Sequence, residues 1–268
     1  MTTLRIFGIP VHVDHERHET FAVSGAVHIE VATKSGDITI KTSDTKVITV
    51  HVTTEGVNNE WMVEDADISF ESESGKLVVR SPFDVGSLFG ASGVNWHFGI
   101  TKGYAGRGRK WFQAGRGDVS VWVEVPVGSS VQTRTASGKT RIDGAAGAVD
   151  SASVSGSLTL PDPVGPVQFK TVSGDLVAPQ VSGPVSVQSV SGGTTLGVCG
   201  PENVRIQTVS GSSTIAVQPG IAVDVDAFSL SGRVSSEIDL HQVPVESSTE
   251  SAKLSVRAVS GAISITRR

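Results

Sequence analysis

Val167-Gln168-Phe169-Lys170-Thr171-Val172-Ser173-Gly174-Asp175-Leu176-Val177-Ala178 is followed, 18 residues on, by Val185-Ser186-Val187-Gln188-Ser189-Val190-Ser191-Gly192-Gly193-Thr194-Thr195-Leu196. In both stretches apolar or hydroxyl residues alternate up to a Ser-Gly pair and resume beyond it, which is the two-residue period of one strand face. The pair recurs with Ser at 137, 155, 173, 191, 210, 231 and 260, at intervals of 18, 18, 18, 19, 21 and 29 residues. Six residues before each Ser stand Val131, Val149, Val167, Val185, Val204, Val225 and Leu254. Two before it stand Thr135, Ser153, Thr171, Ser189, Thr208, Ser229 and Ala258. Three after it come Thr140, Leu158, Leu176, Thr194, Ser213, Val234 and Ile263.

Each repeat therefore reads as strand, sharp turn, strand. Glycine supplies the turn with a backbone conformation that a residue with Cβ resists. A second turn, often Pro-rich (Pro161 to Pro166, Gly183-Pro184, Gly200-Pro201), separates one repeat from the next. The same register reappears around Ser35-Gly36, with Ile29, Val31 and Thr33 before and Ile38 and Ile40 after. It reappears again around Ser74-Gly75, with Ile68, Phe70, Leu77 and Val79.

Equivalent residues at a near-constant period can stack directly, each repeat hydrogen-bonding to the next. The expectation is an all-β chain folded as a parallel β-solenoid of roughly 18-residue repeats, with a Val ladder and a hydroxyl ladder near the turn. The alternative is an antiparallel β-sandwich, whose strands recur every 8–12 residues or so. It does not explain why Val and Ser-Gly return at every second strand. One repetitive domain is expected over residues 1–268, most regular over 118–268 and interrupted by a loop at 83–117. The C-terminal strand, from Ile263, is expected to leave an open edge through which copies could associate end to end.

The interrupting loop is rich in glycine and carries Trp96, Lys102, Tyr104, Arg107, Arg109, Lys110, Trp111, Phe112 and Arg116. Long loops without secondary structure of their own tend to be functional or disordered. These nine residues are the candidate interaction site: Trp, Tyr and Arg anchor protein interfaces, and Lys and Arg beside aromatics suit an anionic ligand, nucleic acid or acidic glycan. Charge is uneven along the chain. Residues 1–82 hold 7 basic and 13 acidic residues, 83–143 hold 8 and 4, and 144–268 hold 7 and 10, within a net charge of −5.

Other candidates point elsewhere. His12, His15 and His18 sit at every third position, but in an extended chain His15 faces away from the other two. An exposed polar terminus is thus expected there, and no metal site. Asp37, Asp118 and Asp175 follow a turn glycine, whereas the equivalent column elsewhere holds Lys139, Ser157, Gly193, Ser212, Arg233 and Ala262. A catalytic carboxylate pair of fixed separation does not emerge from such a column, so these are expected to be turn residues. His28, His51, His97 and His241 suggest no catalytic base. Cys199, the single cysteine, cannot form an intramolecular disulfide and reads as a small buried residue. The chain lacks a phosphate-binding loop and a dinucleotide fingerprint, so no cofactor is implied.

The stretches Ala32-Thr-Lys-Ser-Gly-Asp-Ile-Thr-Ile40, Gly117 to Gly128 and Lys170-Thr-Val-Ser-Gly-Asp-Leu-Val177 resemble a bacterial adhesin-like family of unknown function with Val-Ser-Gly-Asp-type β-strand repeats. With the other Ser-Gly units the likeness covers most of residues 20–268. It implies a β-helix-like fold and a surface or assembly role, and carries no catalytic residues. The expectation is a non-enzymatic scaffold or interaction protein, with a protein partner or a second copy as ligand. Anionic-ligand binding by the 102–116 loop is the alternative, and a carbohydrate-active β-helix enzyme a third reading. The sequence begins without the basic start and apolar core of a signal peptide, and no run approaches the roughly 18–20 apolar residues of a membrane span. A cytoplasmic location is therefore expected, with peripheral membrane association left open.

Overall fold

The computed structural model describes residues 14–55, 59–82, 118–237 and 251–267. Apart from one short helix, Glu60–Glu64, its elements are strands, arranged in two open mixed sheets. The chain is all-β.

Most of the Ser-Gly turns of the repeat carry the chain from one sheet to the other. The strand before the turn joins a ten-stranded sheet, whose order is Ala222–Ser231, Ser251–Ser260, Asn203–Ser210, Val185–Ser191, Val167–Ser173, Val149–Ser155, Ser130–Ser137, His28–Ser35, Lys76–Arg80 and Asp67–Glu71. The strand after it joins an eleven-stranded sheet. That sheet runs Asp14–Ala22, Val47–Glu55, Val119–Pro126, Ile38–Ser43, Thr140–Asp143, Leu158–Thr159, Leu176–Val181, Thr194–Val198, Ser213–Val217, Ile263–Arg267 and Val234–Ser236. Pairing is parallel through the middle of both sheets. Val149 lies opposite Val167, Val167 opposite Val185, and Val185 opposite Val204. In the second sheet Leu158, Leu176, Thr194 and Ser213 follow one another.

Alternation turns the apolar column of both sheets into one shared core. Val149, Val167, Val185 and Val204 are 2–3% exposed, and Phe169 is the bulkiest of the fully buried side chains. Burying each such side chain contributes about 1.5–3 kcal/mol. The hydroxyl column is buried as well. Thr33 donates to Thr135 (3.4 Å), Ser153 and Thr171 share a hydrogen bond (3.3 Å), and Ser153 also donates to the Gly156 carbonyl (2.9 Å). Further along, the hydroxyls of Ser189 and Thr208 are buried without a partner.

The turn glycines serve close approach more than an unusual backbone angle. Gly156, Gly174, Gly211 and Gly232 lie outside the left-handed region, yet a Cβ on any of them would fall well inside 3.0 Å of the carbonyl oxygen of the glycine in the neighbouring unit. Gly36, Gly138, Gly192 and Gly261 meet the same obstacle, against Val119 in the case of Gly36. The Ser-Gly column is a glycine ladder in which backbone stacks on backbone.

Three sequence expectations change. Around Ser74-Gly75 both flanking strands lie in the ten-stranded sheet as an antiparallel hairpin, so Leu77 and Val79 sit opposite Ile29 and Val31. Gly75 has φ +61° and open space where its Cβ would be, because no neighbouring backbone stacks on it. The C-terminal strand is not an open edge: Ile263–Arg267 lies between Ser213–Val217 and Val234–Ser236, and Ser251–Ser260 lies between Asn203–Ser210 and Ala222–Ser231. The unit at residues 222–236 is the one left at the end. Finally, Cys199 is exposed, since it falls at the turn after Thr194–Val198 and outside the inward column.

Candidate functional site

Stacking gathers residues far apart in sequence onto the outer face of the ten-stranded sheet. Inward residues alternate with outward ones, so the buried Val167 and Phe169 put Gln168 and Lys170 on that face. Arg205 reaches it from Asn203–Ser210, and Lys253 and Arg257 from Ser251–Ser260. A groove of about 860 Å³ runs across the strands between two columns of these outward side chains. It starts at His28, passes Pro166, Pro184 and Gln168, and ends beside Arg205 and Lys253. Six strand-to-strand steps separate His28 from Lys253, a length of roughly 29 Å at about 4.8 Å per step.

The face is basic although the chain is net acidic. Some of its cations are already engaged. Glu30 holds Lys76 at 3.0 Å and Arg80 at 2.5 Å. Burial pushes the Glu30 carboxyl up, but its hydrogen bonds to Arg80 and Lys76 and their charges outweigh this and hold it below the usual carboxylate range. Asp150 takes Arg134 at 2.9 Å, and Asp226 on the end strand takes Arg257 at 3.4 Å. Lys170, Arg205 and Lys253 have no side-chain partner among the described residues. Acidic residues occupy the rims, with Asp67 and Glu71 on one edge strand and Asp224 and Asp226 on the other.

The carboxylates of the turn column have structural work. Asp37 accepts the backbone N–H of Lys139 (2.9 Å) and Asp175 that of Gly193 (2.6 Å), each from the neighbouring unit. Their units stand three steps apart, about 14 Å, which is wider than the roughly 5–9.5 Å of a glycosidase pair. Asp118 is exposed at the start of Val119–Pro126.

The histidines divide by face, as an extended strand requires. His15 comes within 3.9 Å of Glu60, while His18 lies on the other face opposite His51 of Val47–Glu55. Their ring nitrogens are 2.9 Å apart. His28 bonds to the Ser130 hydroxyl at 2.8 Å, beside the groove. The loop candidates Trp96, Lys102, Tyr104, Arg107, Arg109, Lys110, Trp111, Phe112 and Arg116 lie outside the described residues, as do His12, His97 and His241. Lys170, Arg205, Lys253 and the partner of His18 escaped the sequence reading. The first three stand in the outward columns of the aligned repeats, one or more positions from the inward valines.

The described residues thus define an all-β protein of two open sheets with a basic outer groove. No helix among them is long and apolar enough to cross a membrane. No protein-family model matches the chain, and no curated protein does. Among solved structures it is similar to a "putative adhesin" from Bacteroides fragilis, with 11% identity and a TM-score of 0.42 over 94% of this chain and 97% of that one. It is similar also to a "putative lipid binding protein" from Parabacteroides distasonis, at 14% identity and 0.42 over 95% and 97%. A "putative cell adhesion protein" from Clostridium sporogenes gives 13% and 0.38 over 94% and 100%.

Proposed function

We propose that the chain is a non-enzymatic scaffold, a parallel β-solenoid over most of its length, whose ten-stranded face binds an extended acidic polysaccharide. The observation that carries this reading is a set of cations with no side-chain partner among the described residues, Lys170, Arg205 and Lys253, on and beside one groove. A groove that crosses stacked strands offers one long path with its cations Arg205 and Lys253 towards one end, which suits a linear anionic polymer. Gln132, Gln168 and Ser186 offer amide and hydroxyl groups along the same line, matched to sugar hydroxyls. Single-stranded nucleic acid is less well served, because base stacking needs aromatic platforms and the groove lining contains none except the imidazole of His28.

The test is retention of the full chain on immobilised polygalacturonate at two salt concentrations. The wild type is expected to bind and to weaken as salt rises, because each neutralised charge releases a counterion. The variant Lys170→Glu/Arg205→Glu/Lys253→Glu is expected to lose at least tenfold in affinity while keeping its circular dichroism. Equal binding by that variant, or preference of the wild type for single-stranded DNA over the polysaccharide, overturns the reading.

A further inference from the structure

The sheet opposite the groove carries a second constellation. Among the described residues Asp14–Ala22 is an edge strand, paired only with Val47–Glu55 in an antiparallel ladder that sets His18 directly opposite His51. We propose that His18 Nδ1 and His51 Nε2 bind a divalent transition-metal cation, Cu(II) foremost, and that the ion clips this edge strand to its neighbour.

Three observations carry the assignment. First, the two nitrogens stand 2.9 Å apart. Two imidazoles in adjacent positions of a tetragonal site, with bonds of about 2.0 Å, hold their nitrogens roughly 2.8 Å apart, so the side chains need little adjustment. Second, the ring centroids are only 3.8 Å apart at an interplanar angle of 67°. Each nitrogen lies outside its own centroid, so a collinear N–H···N contact of 2.9 Å would separate the centroids further. The nitrogens therefore meet at an angle, and a modest outward swing of the part-exposed His18 ring would let both converge on one ion. Third, Glu16 Oε2 lies 3.4 Å from His18 Nε2, the nitrogen turned away from His51. A carboxylate there keeps the proton on Nε2 and leaves the Nδ1 lone pair for the metal, as outer carboxylates do for metal-bound imidazoles.

His51 is held in place as well. Trp122 packs edge-on against it, with centroids 5.0 Å apart, and limits its swing. No group of three or more His, Cys, Asp or Glu side chains forms a metal site among the described residues. The protein therefore supplies two ligands and water the others. His18, with 45% of its side chain exposed, leaves room for that water. Cu(II) leads because it heads the affinity order of divalent first-row ions and accepts tetragonal nitrogen sites.

The experiment titrates the full chain with CuCl2 in the presence of glycine as a weak competitor, followed by calorimetry and electron paramagnetic resonance. The expected result is one equivalent with two imidazole nitrogens, bound at least tenfold more weakly by His18→Gln and by His51→Ala. Glu16→Gln should weaken binding while the two-nitrogen signature persists, and Cu(II) should raise the Tm of the wild type but not of the two histidine variants. Two results would overturn the proposal: unaltered copper affinity in both histidine variants, or a wild-type spectrum lacking two equivalent imidazoles.

Discussion

Replacing Gly156 with alanine separates the two reasons a turn can require glycine. Gly156 is outside the left-handed region, so alanine meets no backbone strain of its own there. Its new Cβ would instead lie well inside 3.0 Å of the Gly138 carbonyl oxygen, a backbone atom that cannot swing aside. Relief requires the two units to part, at the expense of the Thr140 N–H to Ser157 O hydrogen bond of 2.8 Å that joins them. One net hydrogen bond at about 0.5–1.5 kcal/mol, with about 1–3 kcal/mol of overpacking strain, gives a loss of roughly 1.5–4.5 kcal/mol. Two other glycines calibrate it. Gly75→Ala has open space but φ +61°, and should cost about 1–2 kcal/mol. Gly25→Ala has neither obstacle and should stay within about 0.5 kcal/mol of the wild type. Urea unfolding followed by circular dichroism, with m-values compared across the variants, ranks the three. If Gly156→Ala costs no more than Gly75→Ala, the stacking of backbone on backbone at the Ser-Gly column is refuted.

The hydroxyl ladder gives a paired test. Thr208 Oγ1 is buried without a partner, so Thr208→Val should be neutral or stabilising by up to about 1 kcal/mol. Thr135→Val should cost about 1 kcal/mol, because Thr135 donates to the Ser137 carbonyl (3.1 Å) and accepts from Thr33; equal urea midpoints for the two variants would contradict the ladder. Acidification in the presence of a chelator should lower stability in two windows. His51 titrates lower in the folded chain, so its contribution is present above the unfolded imidazole value near 6.5 and fades as pH falls below it. Glu30 is likewise lowered, and its contribution fades as pH falls through the unfolded carboxylate value of about 4.3. In His51→Ala the slope of urea midpoint against pH between 7 and 5 should flatten, and an unchanged slope would remove His51 from the account.

The inward columns were legible because alternation and a nearly fixed interval report the same thing twice. Val149, Val167 and Val185 share a column in the sequence, and they are Cα partners in the sheet. What stayed hidden was the order of the end strands. The intervals from Ser210 to Ser231 and from Ser231 to Ser260 preserve the pattern, yet Ser260 is the one that pairs with Ser210, and a repeat pattern marks which residues face inward without marking which strand is the neighbour. Ser74-Gly75 misled for the same reason, since a hairpin and a crossover between sheets share the strand–turn–strand pattern. His18 and His51 come from strands whose antiparallel register no repeat announces. Lys170 and Lys253 are 83 positions apart in sequence, and only stacking shows that they belong to one face.

That stacking also reconciles a net charge of −5 with a face suited to anions. Apart from Glu30 and Asp150, which hold neighbouring cations, the acids of the ten-stranded face sit on its edge strands. Asp224 and Asp226 lie on one edge of the ten-stranded sheet, Asp67 and Glu71 on the other, and Glu16 and Glu19 on an edge of the second sheet. Edge strands expose unpaired N–H and C=O groups to any passing strand, and charge on them is a common protection. The end unit needs it most. Its inward Val223, Val225 and Ala227 are only partly buried, and Phe228 and Leu230 are 57% and 72% exposed. With the same sign at both ends, head-to-tail contact between copies would bring acid against acid, and under the proposed function the groove cations between them are left to a polyanion.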